Sequence, residues 1–295
     1  MSKEPIFTGT GVAMVTPFES DGKIDFKRLE KHTDQLINHG IDYLVALGTT
    51  AETPVLSKEE KLSIIDAVKS ANAGRVPVVV GAGGNSTQEV ISWIRTIGSD
   101  GIDGLLSVVP YYNKPSQTGI KQHFSAIASA SDLPVLLYNV PGRTGTNMTA
   151  DTTLELANEE SDKIVGVKEA SGDFTQIMNI ISEKPTAFHV ISGDDAIAYP
   201  MITLGGSGVI SVIGNALPGY FSDMVNKALE GKYAEARKIH YKTLPFVDKI
   251  FKEGNPTGIK ALMEILGFGA ANLRLPLIPA SKALTADLKD LAESL

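Results

Sequence analysis

Eight short apolar segments recur along the chain at intervals of roughly 20–34 residues, and helical periodicity fills the intervals. The segments cover residues 12–15, 43–47, 76–80, 104–109, 134–138, 164–168, 188–192 and 208–212. Because they are apolar almost without interruption, they are typical of strands that are buried on both faces of a parallel sheet. Eight such βα units close most naturally into a (β/α)8 TIM barrel, the fold class that we predict for this α/β chain. A doubly wound open sheet is the alternative.

The alternation of strands and helices stops after the eighth segment. Helical patterns then follow one another without a strand between them, over residues 217–230, 233–251, 257–266 and 281–294. The sequence therefore predicts two parts, a catalytic barrel over residues 1–224 and a C-terminal helical extension over residues 225–295.

The composition excludes several classes of protein. Of 295 residues, 43% are hydrophobic and 21% are charged, as in soluble globular proteins, and no apolar stretch reaches the roughly 18 residues of a membrane span. A net charge of −7 without a basic cluster argues against a nucleic-acid binder. The chain has no cysteine, and its first five residues lack the pattern of a signal peptide. We therefore expect a soluble cytoplasmic protein that binds neither nucleic acid nor membrane.

Lys168 ends the sixth apolar segment, where a charged side chain would be costly to bury. Burial favours the neutral amine of a lysine, and a free amine attacks carbonyl carbon. On its own, the position also allows a lysine that reaches solvent from a strand end, or a buried ion pair with Glu169. The residues at the carboxyl ends of the other predicted strands are needed to distinguish between these interpretations.

Polar residues follow several of the other predicted strands at their carboxyl ends, where TIM barrels carry their active sites. Thr49 and Thr50 follow the second strand, while Tyr138 ends the fifth and Arg143 comes shortly after it. Threonines also cap helices, and a lone tyrosine more often packs its ring in a core. Arg143, however, offers a bidentate clamp for a carboxylate. Together with Lys168, these residues favour Schiff-base chemistry on a keto acid.

The sequence gives no sign of a metal or a cofactor. Asp194 and Asp195 have no histidine or third carboxylate at ligand spacing. The glycine-rich segment at residues 81–85 lacks the third glycine of a dinucleotide loop, and the one at 205–208 lies before a strand rather than after it. We therefore expect neither a metal nor an organic cofactor.

Five motifs, in order along the chain, resemble those of the dihydrodipicolinate synthase family. They are GTTAE at residues 48–52, PYYNKP at 110–115, YNVPGRT at 138–144, KEA at 168–170 and SGDD at 192–195. The resemblance covers essentially the whole chain. Other class I pyruvate aldolases share the threonine motif, the tyrosine and the lysine, but Arg143 after Tyr-Asn-Val-Pro distinguishes this branch.

The resemblance implies a lyase that condenses pyruvate with L-aspartate 4-semialdehyde to 4-hydroxy-tetrahydrodipicolinate, on the route to diaminopimelate and lysine. It implies that Lys168 forms the Schiff base with pyruvate. Tyr138, Thr49 and Tyr112 would relay protons, with Tyr112 coming from a neighbouring subunit. A homo-oligomer follows, for which a tetramer is preferred and a dimer is possible.

The resemblance also assigns binding roles. Thr50 would hold the pyruvate carboxylate, and Arg143 the carboxylate of the semialdehyde. Gly193 and the carbonyl group of Ile210 would line the site. Ala51 stands where the family usually has glycine, but no reacting group is replaced.

A second site in lysine-inhibited relatives binds lysine as an effector. The segment that carries serine, alanine and two histidines in those relatives reads Thr53, Pro54, Lys58 and Lys61 in this chain. The rest of that site is matched by Asn85, Glu89 and Tyr111. Because both histidines are absent, we expect lysine to inhibit weakly or not at all.

Two other functions use a similar set of residues. A related lyase that splits sialic acid or a 2-keto-3-deoxy sugar acid would use Lys168 and Tyr138 in the same way, but Arg143 argues against it. A catalytically silent barrel could bind pyruvate-like acids as a sensor. The presence of Lys168, Tyr138 and Thr49 argues against that function.

Overall fold

Eight parallel strands form a closed barrel, each hydrogen-bonded to the next in sequence order, and β8 pairs with β1. This computed structural model describes residues 7–295, so the prediction about the first five residues lies outside the described part. The strands are β1 (Gly9–Ala13), β2 (Tyr43–Ala46), β3 (Val78–Gly81), β4 (Gly104–Val108), β5 (Val135–Asn139), β6 (Ile164–Glu169), β7 (His189–Ser192) and β8 (Gly208–Ser211). The predicted (β/α)8 barrel is confirmed, and the open sheet was the wrong alternative.

Helices separate the strands and cover the outside of the barrel. They are α1 (Phe26–Asn38), α2 (Lys58–Asn72), α3 (Thr87–Ile97), α4 (Gln117–Ala130), α5 (Pro141–Thr144), α6 (Ala150–Glu159), α7 (Phe174–Glu183), α8 (Ala198–Thr203), α9 (Pro218–Leu229), α10 (Tyr233–Phe251), α11 (Thr257–Ile265) and α12 (Lys282–Ala292). Local sequence sets where they begin. In α2, for example, the Ser57 hydroxyl accepts from the Glu60 backbone while the Glu60 carboxylate accepts from the Ser57 backbone, which is a capping box.

The barrel is filled by side chains from the inner faces of its strands. They are nearly all apolar and form one cluster that includes Val45, Val79, Leu106, Leu136, Tyr138, Ile191 and Ile210. A larger cluster lies between the strands and the surrounding helices. The barrel is therefore a packed core rather than a pore, and a ligand can bind only at one of its ends.

The C-terminal helices share a core with one side of the barrel. Val209 and Val212 at β8 pack in the same buried cluster as Phe221 of α9, Phe246 of α10 and Ile259 of α11. The predicted helical extension is confirmed. Residue 225, where we divided the chain, lies within α9, and the division into two domains stays a prediction. Among residues 7–295, no helix combines the length and the apolar character that crossing a membrane would require.

Candidate active site

A cavity of about 200 Å³ lies at the carboxyl ends of the strands. Six of the residues that the sequence singled out contribute to its lining, namely Thr49, Thr50, Tyr138, Arg143, Lys168 and Gly193. The structure thus brings together groups that are as far apart in sequence as Thr49 and Gly193. Phe251 and Asn255 of the C-terminal helical segment also line it, and sequence reasoning missed both.

A larger cavity elsewhere is a weaker candidate. It measures about 860 Å³ and lies at the opposite end of the barrel, beside Gly9 at the start of β1 and Pro77 just before β3. Active sites of TIM barrels lie at the carboxyl ends of the strands. We therefore place the chemistry in the smaller cavity, which holds the lysine.

Lys168 is buried near the end of β6, where it is directly opposite Tyr138 of β5 in the strand register. Its Nζ lies 4.4 Å from the centroid of the Tyr138 ring. Among residues 7–295, Lys168 forms none of the ion pairs. A buried amine without a carboxylate partner is the arrangement that a Schiff-base lysine requires.

Glu169 is fully buried next to Lys168, but its carboxylate is bound by amides instead. It accepts hydrogen bonds from the Ser171 backbone N–H at 2.7 Å, from Asn139 Nδ2 at 3.1 and 3.2 Å and from Gln176 Nε2 at 3.1 Å. Burial raises the pKa of Glu169, and these hydrogen bonds oppose that shift. The suggested ion pair between Lys168 and Glu169 is therefore not formed. Glu169 instead ties β6 to β5 and helps to hold Lys168 opposite Tyr138.

Thr49 and Thr50 lie in a single 3₁₀ turn that follows β2. Thr50 is buried, and its Oγ1 accepts a hydrogen bond from Asn255 Nδ2 at 3.0 Å. The residues on either side of the turn, Leu47 and Glu52, both have a φ of 56°. Non-glycine residues seldom adopt this left-handed conformation, and functional sites are where such strain is commonly retained.

Glu52 anchors the threonine turn to the C-terminal helices. Its Oε1 lies 2.5 Å from Lys260 Nζ of α11, and both side chains are almost completely buried. Its Oε2 accepts a hydrogen bond of 3.0 Å from the Arg274 backbone. Burial lowers the pKa of Lys260, and the neighbouring Glu52 opposes that shift. This pair holds the turn in its strained conformation.

Gly193 follows β7 and packs against the lysine. A Cβ atom added there would lie 2.7 Å from Ala170 Cβ, 3.0 Å from Lys168 Cγ and 3.1 Å from Lys168 Cε. Any larger residue would therefore press on the reactive side chain. Arg143 lies on the short helix α5 after β5, where its exposed side chain reaches the cavity from the rim.

Two of the residues that the resemblance assigned to the site do not line the cavity. Ile210 is buried in β8 with its side chain in the barrel core. Tyr112 lies in the loop after β4 with 88% of its surface exposed, and its φ is 73°. Within its own chain, Tyr112 contributes nothing to the described cavity. Its role, which depends on a neighbouring subunit, stays a prediction.

The residues proposed for effector binding lie outside the active-site cavity. Thr53 is in a short turn before α2, and Lys58 is the first residue of that helix. Lys61 is half-buried, with its Nζ 6.0 Å from the centroid of the Trp93 ring. The other three are Asn85 before α3, Glu89 within α3 and the exposed Tyr111 after β4.

Asp195 has a structural role in this region. Its Oδ2 accepts hydrogen bonds from the backbone N–H groups of Val212 at 3.0 Å and Ile213 at 2.8 Å, which fixes the turn after β8. Burial raises the pKa of Asp195 to about 6. Among the described residues 7–295, no three side chains of His, Cys, Asp or Glu are grouped as metal ligands would be.

Comparison with known proteins identifies the family. The model of the dihydrodipicolinate synthetase family matches residues 6–295. The chain belongs to this family. A 4-hydroxy-tetrahydrodipicolinate synthase from Parabacteroides distasonis is 54% identical over 271 residues, which cover 92% of this chain and 91% of the relative. The family that the sequence predicted is thus confirmed.

Solved structures of the dihydrodipicolinate synthetase family have the same fold. One dihydrodipicolinate synthase matches with a TM-score of 0.94 and 41% identity, over 98% of this chain and 99% of that chain. Another, from Acinetobacter baumannii in complex with pyruvate, matches with a TM-score of 0.93 and 38% identity, over 97% and 98%. Both likenesses extend through the C-terminal helices, so that part of the fold belongs to the family as well.

Proposed function

We propose that the protein is a 4-hydroxy-tetrahydrodipicolinate synthase, a lyase that condenses pyruvate with L-aspartate 4-semialdehyde. One observation carries the proposal: Lys168 is buried without an ion-pair partner in a cavity that Thr49, Thr50 and Tyr138 also line. The 54% identical relative of that name and the pyruvate complex of a solved relative support it. The product leads to diaminopimelate and lysine, and the proposed location is the cytoplasm.

Lys168 begins the reaction by attacking the ketone carbon of pyruvate. The carbinolamine loses water and becomes an iminium, whose positive nitrogen allows a methyl proton to leave and an enamine to form. The enamine carbon then forms a bond with the aldehyde carbon of the semialdehyde. Finally, the amine of the second substrate attacks the iminium carbon and displaces Lys168, which closes the ring. One water molecule is released overall.

The neighbouring side chains have separate tasks in this scheme. The ring of Tyr138 lies beside the Lys168 amine, and in this scheme the Tyr138 hydroxyl moves protons to and from the reacting oxygen. Thr49 and Tyr112 complete the relay, with Tyr112 supplied by a second subunit. The Thr50 hydroxyl binds the pyruvate carboxylate. Arg143, at the rim, binds the carboxylate of the semialdehyde, which enters second.

A substrate assay tests this function. The purified protein is offered pyruvate with aspartate semialdehyde and, separately, sialic acid. Turnover of the first pair alone is the expected result, because Arg143 supplies the cation that the second carboxylate needs. Turnover of sialic acid would assign the protein to the related lyases, and binding of pyruvate without turnover of either would assign it to sensors.

The active form is expected to be at least a dimer, and we favour a tetramer. The family resemblance implies that Tyr112 takes part in the proton relay across a subunit interface, and its 88% exposure and absence from the cavity of its own chain are consistent with that role. Analytical ultracentrifugation at the protein concentration of the activity assay measures the assembly. A monomer with full activity would contradict the shared site.

Lysine is expected to inhibit the enzyme weakly or not at all. Lys58 and Lys61 lie in the segment that carries two histidines in lysine-inhibited relatives, and an added ammonium repels the cationic effector. Two unit charges about 4 Å apart repel by roughly 1 kcal/mol in water and roughly 4 kcal/mol at an effective dielectric of 20, which costs from about fivefold to several-hundredfold in affinity. A lysine titration of initial rates measures this.

Half-maximal inhibition below about 1 mM, an affinity of roughly −4 kcal/mol, would refute that expectation. If charge repulsion is the reason for weak inhibition, the variant Lys61→His should increase sensitivity to lysine, because it removes a permanent charge. Lys27→His on α1 is the matched control, since Lys27 is exposed on another helix. An equal response of both variants would mean that the charge of Lys61 does not act on the effector.

A further inference from the structure

The C-terminal helical segment reaches the threonine turn at two points. Asn255, between α10 and α11, donates from its Nδ2 to Thr50 Oγ1 at 3.0 Å. Lys260 of α11 pairs with Glu52 at 2.5 Å. One contact is made to Thr50 within the turn and the other to Glu52 at its end, so this segment contacts both a hydroxyl of the turn and the residue that ends it.

The contact with Asn255 determines where the Thr50 hydroxyl can point its hydrogen. A hydroxyl has one hydrogen to donate and two lone pairs that accept. Because Thr50 Oγ1 already accepts from the Asn255 amide, that partner cannot receive its hydrogen. Within residues 7–295, Asn255 is the one hydrogen-bond partner found for this oxygen. The hydroxyl hydrogen therefore remains for an acceptor in the cavity that Thr50 lines.

The other end of the Asn255 amide supports a role in the site. Asn255 is 8% exposed and lines the cavity. Its Oδ1 is buried and has no hydrogen-bond partner among the described residues. Buried polar groups nearly always have a partner where they serve only the fold. Among the described residues, the Asn255 side-chain amide thus has one hydrogen-bond partner, Thr50, and its free Oδ1 belongs to a residue that lines the cavity.

Strain in the turn explains why such support is needed. Glu52 has a φ of 56°, a conformation that persists in a non-glycine residue only when surrounding contacts enforce it. Lys260 and the Arg274 backbone bind both oxygens of the Glu52 carboxylate. With the backbone held in this way, the Thr50 hydroxyl can still rotate, and the hydrogen bond from Asn255 restricts that rotation because it occupies one lone pair of Oγ1.

We propose that Asn255 is a positioning residue for the first substrate, because it turns the Thr50 hydroxyl to donate to the pyruvate carboxylate. This inference rests on the proposed function. A substrate carboxylate is an acceptor only, so it binds a threonine whose hydrogen is already directed at it more tightly than one whose hydrogen is engaged elsewhere. Asn255 thus acts on pyruvate through Thr50.

The test measures borohydride trapping of the pyruvate imine as the pyruvate concentration is varied. Asn255→Ala should raise the half-saturating pyruvate concentration about tenfold, the scale of a hydrogen bond to a charged group. In a Thr50→Val background, the same substitution should have no further effect, because no hydroxyl remains to be directed. Thr257→Val, at the start of α11 and outside the cavity lining, is the matched control and should leave trapping unchanged.

Asn255→Asp gives an independent variant of nearly the same shape. Its carboxylate would accept the Thr50 hydrogen, so the half-saturating concentration should rise further than in Asn255→Ala. If Asn255→Ala does not fold, Asn255→Asp provides the test of the inference in its place. The inference would be overturned if neither Asn255 variant changed the half-saturating pyruvate concentration. It would also be overturned if Asn255→Ala raised that concentration equally in the unmodified protein and in the Thr50→Val background. Absence of trapping in the unmodified protein would instead overturn the proposed function.

Discussion

Lys168→Ala is expected to abolish imine formation and to lower turnover by on the order of 10⁴-fold or more, because it removes the nucleophile that carries the substrate. Borohydride added with pyruvate should leave a reduced adduct on Lys168 in the unmodified protein, and peptide mass analysis locates it. The variant should show no adduct. Since Lys168 forms no ion pair among the described residues, its loss leaves no buried charge unpaired, and the fold should be retained.

Lys163→Ala is the matched control for that substitution. Lys163 directly precedes β6, and its Nζ donates to the Ser131 carbonyl group at 2.9 Å, away from the cavity. Thermal unfolding of both variants separates loss of chemistry from loss of structure. An adduct on any other lysine, or normal turnover by Lys168→Ala, would rule out the mechanism.

Arg143→Ala is expected to separate the two halves of the reaction. Imine formation with pyruvate should be nearly unchanged, whereas use of the semialdehyde should fall, because only the second carboxylate needs the guanidinium. Truncation of a buried charged pair costs roughly 2–5 kcal/mol. Arg143 is exposed at the rim, so we expect the lower end, about thirtyfold in kcat/KM for the semialdehyde.

The Arg143→Lys variant tests whether the paired N–H donors of the guanidinium contribute to binding of the semialdehyde beyond the positive charge. A lysine keeps the charge but not the bidentate geometry, so it should restore only part of the loss. Equal loss of both half-reactions in Arg143→Ala would indicate damage to the fold. An unchanged KM for the semialdehyde would place the clamp on another residue.

The barrel could be predicted from the sequence because its signal is local and repeated. Seven strands are short apolar runs that closely match the predicted segments, and β6 differs from its predicted range by a single residue. The exception is β1, predicted over residues 12–15 and observed over Gly9–Ala13, because it begins with Gly-Thr-Gly, which carries no apolar signal. The shift in β3, predicted from residue 76 and observed from Val78, reflects Pro77, which cannot donate to a strand ladder. Once the topology is known, the carboxyl ends of the strands have to meet, and that placed Lys168 beside Tyr138.

Contacts made by single polar side chains over long distances could not be predicted in this way. Glu52 and Lys260 are 208 positions apart and belong to no shared periodic pattern. One signal was available: Lys260 lies in the buried stretch of α11 from Thr257 to Met263, much as Lys168 lies in an apolar strand. A charged residue in an apolar helix should have prompted a search for its partner. The proposed role of Tyr112 would depend on a second chain, which one sequence does not specify.

The link between the threonine turn and residues 255–274 has a consequence for how the protein is made. A chain is synthesised from its N-terminus at about 5–20 residues per second, so all eight strands are present some seconds before this last segment follows. Until it arrives, Glu52 and Thr50 lack their partners, and the turn has nothing to hold its strained backbone. All eight strands are therefore synthesised before the contacts that hold the turn can form. Pyruvate binding would therefore report that synthesis has passed Arg274, whose backbone binds Glu52.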